Sequence, residues 1–419
     1  MSLAAPPSSV DVAVIGAGAA GIAAARALAG TGLSTVVLEA RDRIGGRAHT
    51  IVRDGHALDM GCGWLHSADE NPLARLAEGA GFTLDRTRPP WESQAFNHEM
   101  SAGEQAEFRA AFAAFEDRVA EAAARGEEGP ASILFEPGNR WNPRIDAISG
   151  ALNGARFAEV SIRDYDAYRD TGVNWRVAEG YGRLVERLGA GVPLVTDCAV
   201  SRVDRSGPVL RLETAKGGVE ARALILTLPT DLIAAEAVRF DPPLPDLMEA
   251  AASLPLGLAS KLHMTVTGAE DFPKDSQLWG RADTADTAGY HLRPFGRPMI
   301  EARFGGDIAR QLEADGEAAF FAFASDELVH LLGSDMRRRI APVAASMWGA
   351  DPWSRGAYSH ALPGHAGDRA RLKAPVERRI FIAGEATSEV FYGTAHGAWL
   401  EGGRAAQEVL TALEGAGPA

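Results

Sequence analysis

Residues 12–50 of the chain read VAVIGAGAAGIAAARALAGTGLSTVVLEARDRIGGRAHT, and this stretch predicts the core of the fold. A short apolar run ends at Ile15, and after a glycine-rich turn an alanine-rich helical segment leads to a second apolar run, STVVLEA. Short apolar runs bounded by glycine turns predict buried strands. A strand, a helix and a second strand form a βαβ unit, which predicts a parallel sheet.

The glycines of this turn have the spacing of a dinucleotide-binding fingerprint. Gly16, Gly18 and Gly21 follow the first strand directly and open the helix. In such a fingerprint the first glycine permits a tight turn, the second lets the backbone approach a pyrophosphate, and the third allows close contact of helix and strand. Glu39 ends the second strand, close to the spacing of an acidic residue that binds a ribose hydroxyl. Together these residues predict a dinucleotide site.

The residues after the second strand bear on which dinucleotide is bound. Gly45 and Gly46 form a second glycine pair, and Arg47 follows them as a fixed cation suited to a pyrophosphate. A unit that binds NAD has no need of this extension, so the extension favours FAD. The alternative interpretation is a glycine turn followed by an arginine in solvent.

Composition and charge restrict the function classes. The 419 residues exceed the usual length of one domain, and 46% hydrophobic with 23% charged residues is typical of a soluble globular protein. The formal net charge of -14 argues against nucleic acid or an anionic membrane as the main partner, because both repel an acidic protein. A cationic substrate fits this charge, although an acidic surface also serves solubility.

Cysteine usage and the N-terminal segment bear on the compartment. The spacing of Cys62 and Cys198 matches neither a disulfide framework nor a metal site. The N-terminal segment MSLAAPPSSV lacks the basic start of a signal peptide, and no stretch approaches the roughly eighteen uninterrupted apolar residues of a membrane span. We therefore expect a cytoplasmic protein without a metal site.

The remainder of the chain divides into a helical part and a strand-rich part. Residues 70–185 carry helical patterns, including a helix with Asn71 as its N-cap and a long amphipathic helix that starts with a capping box of Ser101 and Glu104. Short strand patterns with turn signals follow, and the glycine pair at 217–218 predicts a hairpin. The C-terminal part again has the order strand, glycine-containing loop, helix.

Several separated segments resemble, in the right order, the flavin amine oxidase family, which includes monoamine oxidases, polyamine oxidases and lysine-specific histone demethylases. Residues 12–50 are similar to the FAD-binding opening of that family, and RRIFIAGEATSEVFYGTAHGAWLEGGRAAQEVL (378–410) to its closing segment. Between them, further segments resemble family motifs: DMGCGWLHSADENPL (59–73), LTLPTDLI (226–233) and DPWSRGAYSHALPG (351–364). In motif detail the chain is closest to polyamine oxidases.

The resemblance implies an α/β fold with two interleaved domains. One is a Rossmann-like FAD-binding domain with a parallel sheet, and the other is an α+β substrate-binding domain, as in monoamine and polyamine oxidases. We expect residues 1–72, 190–240 and 354–419 to form the FAD-binding domain. We expect residues 73–189 and 241–353 to form the substrate-binding domain.

The resemblance also implies the chemistry. Enzymes of this family transfer a hydride equivalent from the carbon next to an amine nitrogen to N5 of the flavin. Oxygen usually reoxidises the flavin and yields hydrogen peroxide, while the imine hydrolyses to a carbonyl. The expected partners are therefore molecular oxygen and a small cationic amine, either a polyamine or another alkylamine. For the assembly, a monomer and a homodimer both stay open.

The cofactor implied by the resemblance is FAD, bound without a covalent bond. Ala357 stands where mitochondrial monoamine oxidases carry the cysteine that bonds to the flavin. The residues expected to contact FAD lie in the fingerprint, the second glycine pair, the loop at 59–73 and the closing segments: Gly16, Gly18, Ala20, Gly21, Glu39, Ala40, Arg41, Gly46, Arg47, Gly63, Trp64, Val200, Trp353, Gly384, Glu385, Thr394 and Ala395.

Four residues are implied in catalysis. Lys261, in the predicted strand LASKLHMTV (258–266), matches a lysine that reaches flavin N5 through a water molecule. Tyr358 matches one aromatic wall of the substrate cage, and Thr394 replaces the second tyrosine found in monoamine oxidases. His66 matches a histidine near the substrate nitrogen in vertebrate-type polyamine oxidases. The alternatives are a solvated strand face for Lys261 and a structural histidine for His66.

Other functions on the same scaffold stay open. An L-amino-acid oxidase needs an arginine for the substrate carboxylate, and GCGWLHS (61–67), where the family places it, contains none. A desaturase or a porphyrinogen-type oxidase shares the opening motif but does not typically share the GAYS and GTAHGA segments. A protein that binds FAD without reacting with amines is the non-enzymatic alternative.

Overall fold

The computed structural model describes residues 3–92 and 94–414. The outer ends of two predicted domain segments, residues 1–2 and 415–419, therefore lie outside the described residues. The helices are α1 (Ala19–Leu28), α2 (Pro72–Gly79), α3 (Ala102–Ala124), α4 (Asn142–Asn153), α5 (Ile162–Ala167), α6 (Tyr181–Leu188), α7 (Thr230–Ala234), α8 (Pro245–Ala252), α9 (Asp307–Asp315), α10 (Glu317–Leu332), α11 (Met336–Arg339), α12 (Asp368–Leu372) and α13 (Ala395–Glu414). Over the described ranges, no helix combines the length and apolar character needed to cross a membrane.

Most of the strands belong to two sheets, and the others form short pairs. The strands are β1 (Ser9–Ile15), β2 (Thr35–Leu38), β3 (Thr50–Arg53), β4 (His56–Asp59), β5 (Leu84–Asp85), β6 (Arg176–Val177), β7 (Leu194–Val195), β8 (Val200–Asp204), β9 (Leu210–Thr214), β10 (Gly217–Leu226), β11 (Arg239–Asp241), β12 (Leu256–Gly257), β13 (Ala259–Val266), β14 (Ser276–Trp279), β15 (Gly289–Leu292), β16 (Met299–Gly305), β17 (Ile340–Ala345), β18 (Tyr358–Ser359) and β19 (Ile380–Ile382).

The first sheet contains the predicted βαβ unit. Its parallel part runs β7, β2, β1, β10, β19, with Val14 paired to Val37 on one side and to Ile225 on the other. All three side chains are fully buried, as expected for a parallel sheet covered on both faces. The predicted α/β fold with a parallel sheet is therefore confirmed. An antiparallel extension through β9 and β8 continues this sheet beyond the parallel part.

The closing helix returns to the opening unit and packs against α1. Both helices are rich in small residues at the contact, and a Cβ atom placed on Gly402 would lie 2.1 Å from the carbonyl oxygen of Ala20. Only glycine permits this approach of two backbones. The contact joins the first and last parts of the chain in one layer on the parallel sheet. The proposed division into two domains stays a prediction.

The second sheet is antiparallel, in the order β14, β15, β16, β13, β17. Alternation along its strands separates an apolar face from a polar face. Leu262 and Ile300 lie on the apolar face, in a core cluster that includes residues of α9 and α10. The opposite face carries charged residues of β13 and β16, and it points toward the cavity described below.

The predicted hairpin between β9 and β10 is present. Thr214 pairs with Gly217, so Ala215 and Lys216 form the two-residue loop, while Gly217 and Gly218 belong to β10. Gly217 has a φ of +115°, a conformation that favours glycine at the edge of the turn. The glycine pair therefore marks the hairpin without forming its loop.

The predicted N-cap at Asn71 is confirmed, and it leads to a stability prediction. Its side-chain oxygen accepts a hydrogen bond from the backbone N–H of Leu73 at 2.9 Å, and its Nδ2 donates to the carbonyl of His66 at 3.0 Å. Asn71→Ala should lower the free energy of unfolding by about 1–2 kcal/mol, because the cap is lost at a buried site. Chemical denaturation measures this change. Asn71→Asp keeps the hydrogen-bond acceptor, so its free energy of unfolding should fall by less. An equal decrease in both variants would contradict the capping role.

Candidate active site

A cavity of about 1250 Å³ extends from the fingerprint turn to the polar face of the second sheet. This volume exceeds that of a usual small-molecule pocket, so the cavity has room for a ligand larger than one small molecule. Of the residues predicted to bind FAD or act in catalysis, every one except Gly21 lines this cavity. The fold therefore brings together residues from both ends and the middle of the chain.

The three fingerprint glycines differ in their surroundings. Gly16 has a φ of +102°, and a Cβ atom on it would lie 2.5 Å from Oγ1 of Thr227. A Cβ on Gly21 would lie 1.9 Å from the carbonyl oxygen of Gly16, so Gly21 serves close packing of α1 and does not line the cavity. Its assignment as a cofactor contact stays a prediction. A Cβ on Gly18 would meet no atom within 4 Å, so Gly18 offers open space at the start of α1.

Glu39 and Arg41 lie beside this turn. The buried Glu39 carboxylate accepts hydrogen bonds from the backbone N–H groups of Ala17 at 2.7 Å and Arg41 at 2.9 Å. These bonds hold the carboxylate at the edge of the cavity, where a ribose hydroxyl can donate to it. The guanidinium of Arg41 binds Asp351 at 2.8 Å and Ser354 at 2.8 Å, so it is held in place by the loop before β18.

Arg47 and Glu385 connect the second glycine pair to the closing segment. Nη1 of Arg47 lies 3.0 Å from Oε1 of Glu385 and also donates to the carbonyl of Ala357 at 2.7 Å. Oε2 of Glu385 accepts from the Ser359 hydroxyl at 2.7 Å and from the N–H of Gly393 at 2.8 Å. Burial opposes ionisation of Glu385, but Arg47 and Ser359 keep its pKa below the usual value. Glu385 is therefore charged, and both of its carboxylate oxygens accept hydrogen bonds within the cavity wall.

Lys261 also lines the cavity, on the polar face of β13. Its Nζ donates to the carbonyl oxygen of Asp59 at 3.1 Å and lies 3.9 Å from Oε1 of Glu301. The side chain is 15% exposed, and the space it faces is the cavity and not bulk solvent. A Cβ placed on Gly63 would lie 3.0 Å from Nζ, so the loop after β4 approaches the ammonium closely.

Tyr358 and Thr394 both line the cavity, but their hydroxyls are engaged with the backbone. Tyr358 donates to the carbonyl oxygen of Ala151 in α4. The Thr394 hydroxyl donates to the carbonyl of Phe391 at 2.6 Å and accepts from the N–H of Gly397 at 2.9 Å. Thr394 is thus the N-cap of α13, a structural role that the sequence analysis did not assign. The Tyr358 ring remains available as a cavity wall.

His66 lines the same cavity, and Asn174 sets its orientation. The Nδ1 atom lies 2.6 Å from Oδ1 of Asn174, so Nδ1 carries the proton and Nε2 is left as an acceptor. Burial is the main cause that lowers the pKa of His66 from 6.5. The imidazole is therefore neutral at neutral pH and can accept a hydrogen bond.

This protonation state predicts how His66 affects the pH profile. Because the pKa of His66 lies below 6.5, its charge does not change at higher pH. His66→Asn should therefore leave the shape of the kcat/KM profile between about pH 7 and pH 9 unchanged, whatever its effect on the absolute rate. Steady-state kinetics over this range measure the profile. Loss of an ionisation step in the variant would show that His66 titrates there.

The structure also places cavity residues that the sequence analysis did not single out. Arg303 and Gln277 reach the cavity from β16 and β14, and Trp279 and Arg144 form part of the same wall. The segment PMIEARFGG (298–306) was predicted as a strand, and its alternating charges were the available signal. Alternation does not reveal that this face is covered by protein.

Most of the chain is similar in sequence to one protein family. The sequence model of "Flavin containing amine oxidoreductase" matches residues 19–153 and 136–410. Polyamine oxidase 4 of Oryza sativa subsp. japonica is 31% identical, over 97% of this chain and 89% of that protein. Polyamine oxidase 2 of Arabidopsis thaliana is 29% identical, over 96% of this chain and 88% of that protein.

Solved structures agree on the fold. Wild-type putrescine oxidase bound to putrescine has a TM-score of 0.77 at 22% identity, covering 97% of this chain and 100% of that chain. Cyclohexylamine oxidase from Brevibacterium oxydans IH-35A has a TM-score of 0.80 at 22% identity, with the same coverage. At this identity the similarity concerns the fold alone, whereas the family match extends over most of the sequence. The chain therefore belongs to the flavin-containing amine oxidoreductase family, whose members use a flavin to oxidise amines.

Proposed function

We propose that the protein is an FAD-dependent oxidase of alkylamines, with FAD bound non-covalently and oxygen as the electron acceptor. The observation that carries this proposal is that the fingerprint turn and Lys261 line one and the same cavity. A dinucleotide with its pyrophosphate at the start of α1 would extend toward Lys261. Family membership supports a flavin as that dinucleotide.

The residues in the cavity fit FAD. The open space at Gly18 lies at the N-terminus of α1, where backbone N–H groups favour a pyrophosphate, and Glu39 faces the position of a ribose. Arg47, which lines the same cavity, would add a cation for the phosphates of a bound FAD. Ala357 offers no thiol, and burial raises the pKa of Cys62, another cavity residue, to about 12. Because a protonated thiol is a poor nucleophile, these residues support non-covalent binding.

The protein groups around the substrate prepare the amine for oxidation. When bound, FAD would accept a hydride equivalent from the carbon beside the amine nitrogen. Loss of hydride requires a neutral amine, and the aromatic walls of Trp64 and Tyr358 disfavour a charged ammonium by excluding water. The Nε2 atom of His66 can accept a hydrogen bond from the amine and orient it. The Lys261 ammonium can stabilise negative charge that develops when oxygen is reduced to hydrogen peroxide.

Polyamines and simpler alkylamines are both candidate substrates. The names of the relatives include polyamine, and the net charge of -14 favours approach of a cation. A protein that binds FAD without reacting with amines is the alternative that the experiment must exclude.

Anaerobic addition of an amine panel to the purified yellow protein tests the proposal. Loss of the visible absorbance of oxidised flavin with an amine, followed by recovery and peroxide formation when air is admitted, is the expected result. If the flavin is reduced by an amine but is not reoxidised in air, the protein is a dehydrogenase and not an oxidase. No change with any amine, while dithionite still reduces the bound flavin, would overturn the proposed function.

A further inference from the structure

A row of four residues crosses the second sheet on the face toward the cavity. Trp279 of β14 pairs with Gly289 of β15, Gly289 pairs with Arg303 of β16, and Arg303 pairs with Lys261 of β13. Directly paired residues of antiparallel strands project to the same face. All four line the cavity, so Arg303 stands next to the lysine predicted to serve the flavin.

Arg303 has more hydrogen-bond donors than partners. Its Nη2 donates to Oε1 of Gln277 at 3.0 Å, and its Nε lies 3.8 Å from Oε1 of Glu301. Among the described residues, Gln277 supplies the one hydrogen-bond acceptor for its five N–H donors. Gly289 has no side chain to cover the guanidinium from the neighbouring strand. Donors of Arg303 are therefore free to face the cavity.

The charges around Arg303 leave an excess of positive charge. Like charges directly opposite each other on neighbouring strands repel, and Lys261 and Arg303 have this arrangement. Although burial opposes it, Lys261 and Arg303 lower the pKa of Glu301 to about 2, so Glu301 is ionised. The Glu301 carboxylate thus lies between two cations, with its Oε1 3.9 Å from Nζ of Lys261 and 3.8 Å from Nε of Arg303. Burial lowers the pKa of His263, which favours its neutral form.

Asp59, the other acidic residue near Lys261, is already satisfied. Its carboxylate oxygen Oδ1 accepts from the hydroxyl of Thr50, and its Oδ2 accepts from the N–H of Tyr181 at 3.1 Å. Burial raises the pKa of the Asp59 carboxyl, which weakens it as a counter-ion. An anion in the cavity would therefore find unmatched positive charge at Arg303.

A second arginine lies on the same wall. Arg144 of α4 is 6% exposed, and its guanidinium lies 5.0 Å from the ring centre of Trp279, the first residue of the row. Its buried Nε has no hydrogen-bond partner in the described parts of the chain. By contrast, the carboxylates of Glu116 and Asp170, which also line the cavity, belong to exposed residues. Arg144 thus adds a buried cation to this wall, and the buried carboxylate of Glu327 partly offsets its charge.

We propose that Arg303, on the same cavity wall as Arg144, binds a carboxylate of the substrate, and that the substrate is an alkylamine that carries a carboxylate group. A planar guanidinium binds a carboxylate through two parallel hydrogen bonds, and this pairing offsets the excess charge. A second ammonium group, as in a diamine, would instead be repelled by Arg303 and Lys261. The loop at 61–67 contains no arginine, and β16 supplies one from elsewhere in the fold. The inference rests on the proposed amine-oxidising function.

Four compounds with the same number of carbons test this inference on the holoenzyme. Butylamine carries no second charge, putrescine carries a second ammonium, and γ-aminobutyrate and L-α-aminobutyrate carry a carboxylate at different distances from the amine. We expect kcat/KM for the better carboxylated amine to exceed that for butylamine by about 100-fold or more. The better of the two carboxylated amines reports where the carboxylate lies relative to the reacting carbon. Equal or faster turnover of butylamine or putrescine would overturn the inference but leave the proposed function intact.

Variants and a binding measurement make the test independent of turnover. Arg303→Met should lower the preference for the carboxylated amine over butylamine by about 100-fold. Arg303→Lys, which keeps the charge but loses the planar guanidinium, should lower this preference by less. Arg337→Met, at an exposed arginine of α11, is the matched control and should keep the preference.

Calorimetry with butyrate, which has no amine to oxidise, measures the carboxylate site directly. We expect Arg303→Met to weaken butyrate binding by about tenfold or more, with the melting temperature as the check on folding. Equal butyrate affinity of the folded Arg303→Met variant and the unaltered protein would overturn the inference. Because butyrate binding needs no reaction, this readout holds even if no amine reduces the flavin.

Discussion

Replacing Lys261 with methionine should slow the reaction of the reduced enzyme with oxygen by about 100-fold, while FAD stays bound. Methionine preserves much of the length and the packing of the lysine stem, but it removes the ammonium that lines the cavity. Reduction of oxygen develops negative charge, and a fixed cation in a dry site stabilises that charge strongly. Stopped-flow mixing of the anaerobically reduced protein with oxygenated buffer measures the rate.

The control for Lys261 is a lysine outside the cavity. Lys274 is 61% exposed, and Lys274→Met should reoxidise at the rate of the unaltered protein. The flavin content after gel filtration shows whether FAD binding is affected. If Lys261→Met retains FAD and reacts with oxygen at an unchanged rate, Lys261 does not serve reoxidation. Loss of FAD with unchanged reoxidation of the remaining holoenzyme would assign Lys261 to cofactor binding instead.

Alanine substitutions at Gly21 and Gly18, two glycines of the same fingerprint, should have different effects on stability and on FAD binding. Gly21→Ala should lower the free energy of unfolding of the apoprotein by about 3 kcal/mol or more, because its Cβ would lie 1.9 Å from a backbone oxygen. Gly18→Ala should leave apoprotein stability nearly unchanged, since its φ of -75° suits alanine and its Cβ meets nothing within 4 Å. The same Cβ would occupy the space of the pyrophosphate and weaken FAD binding by about tenfold or more.

Two measurements separate these outcomes. Thermal unfolding of the apoproteins compares their stability, and titration with FAD, followed by quenching of flavin fluorescence, compares their affinity. An apoprotein of Gly18→Ala that melts as early as Gly21→Ala would contradict the open space at Gly18. Unchanged FAD affinity of Gly18→Ala would place the pyrophosphate elsewhere in the cavity.

Local patterns in the sequence account for much of the fold. The βαβ unit, the N-cap at Asn71 and the capping box of Ser101 and Glu104 were predicted and are present. These features depend on residues within one helix, one turn or two neighbouring strands, so their physics is contained in a short segment. The family resemblance added the order of the distant segments and the expected cofactor.

Other features depend on contacts between distant parts of the chain. Nothing local distinguishes Gly21, whose neighbour is a backbone oxygen, from Gly18, which faces open space. The capping role of Thr394 also depends on where α13 begins.

The polar face of the second sheet shows most clearly what a local sequence pattern cannot predict. Alternation determines that Lys261 and His263 share one face of β13, and that Glu301 and Arg303 share one face of β16. It does not determine that these faces meet, or that they border a cavity instead of solvent. Those facts follow from the pairing of β13 with β16 and from the segments that fold over them, because burial depends on packing against residues remote in sequence. The sequence by itself thus indicated many of the helices and strands and, through its family, a flavin cofactor, whereas the tertiary structure alone decided which charges border the cavity.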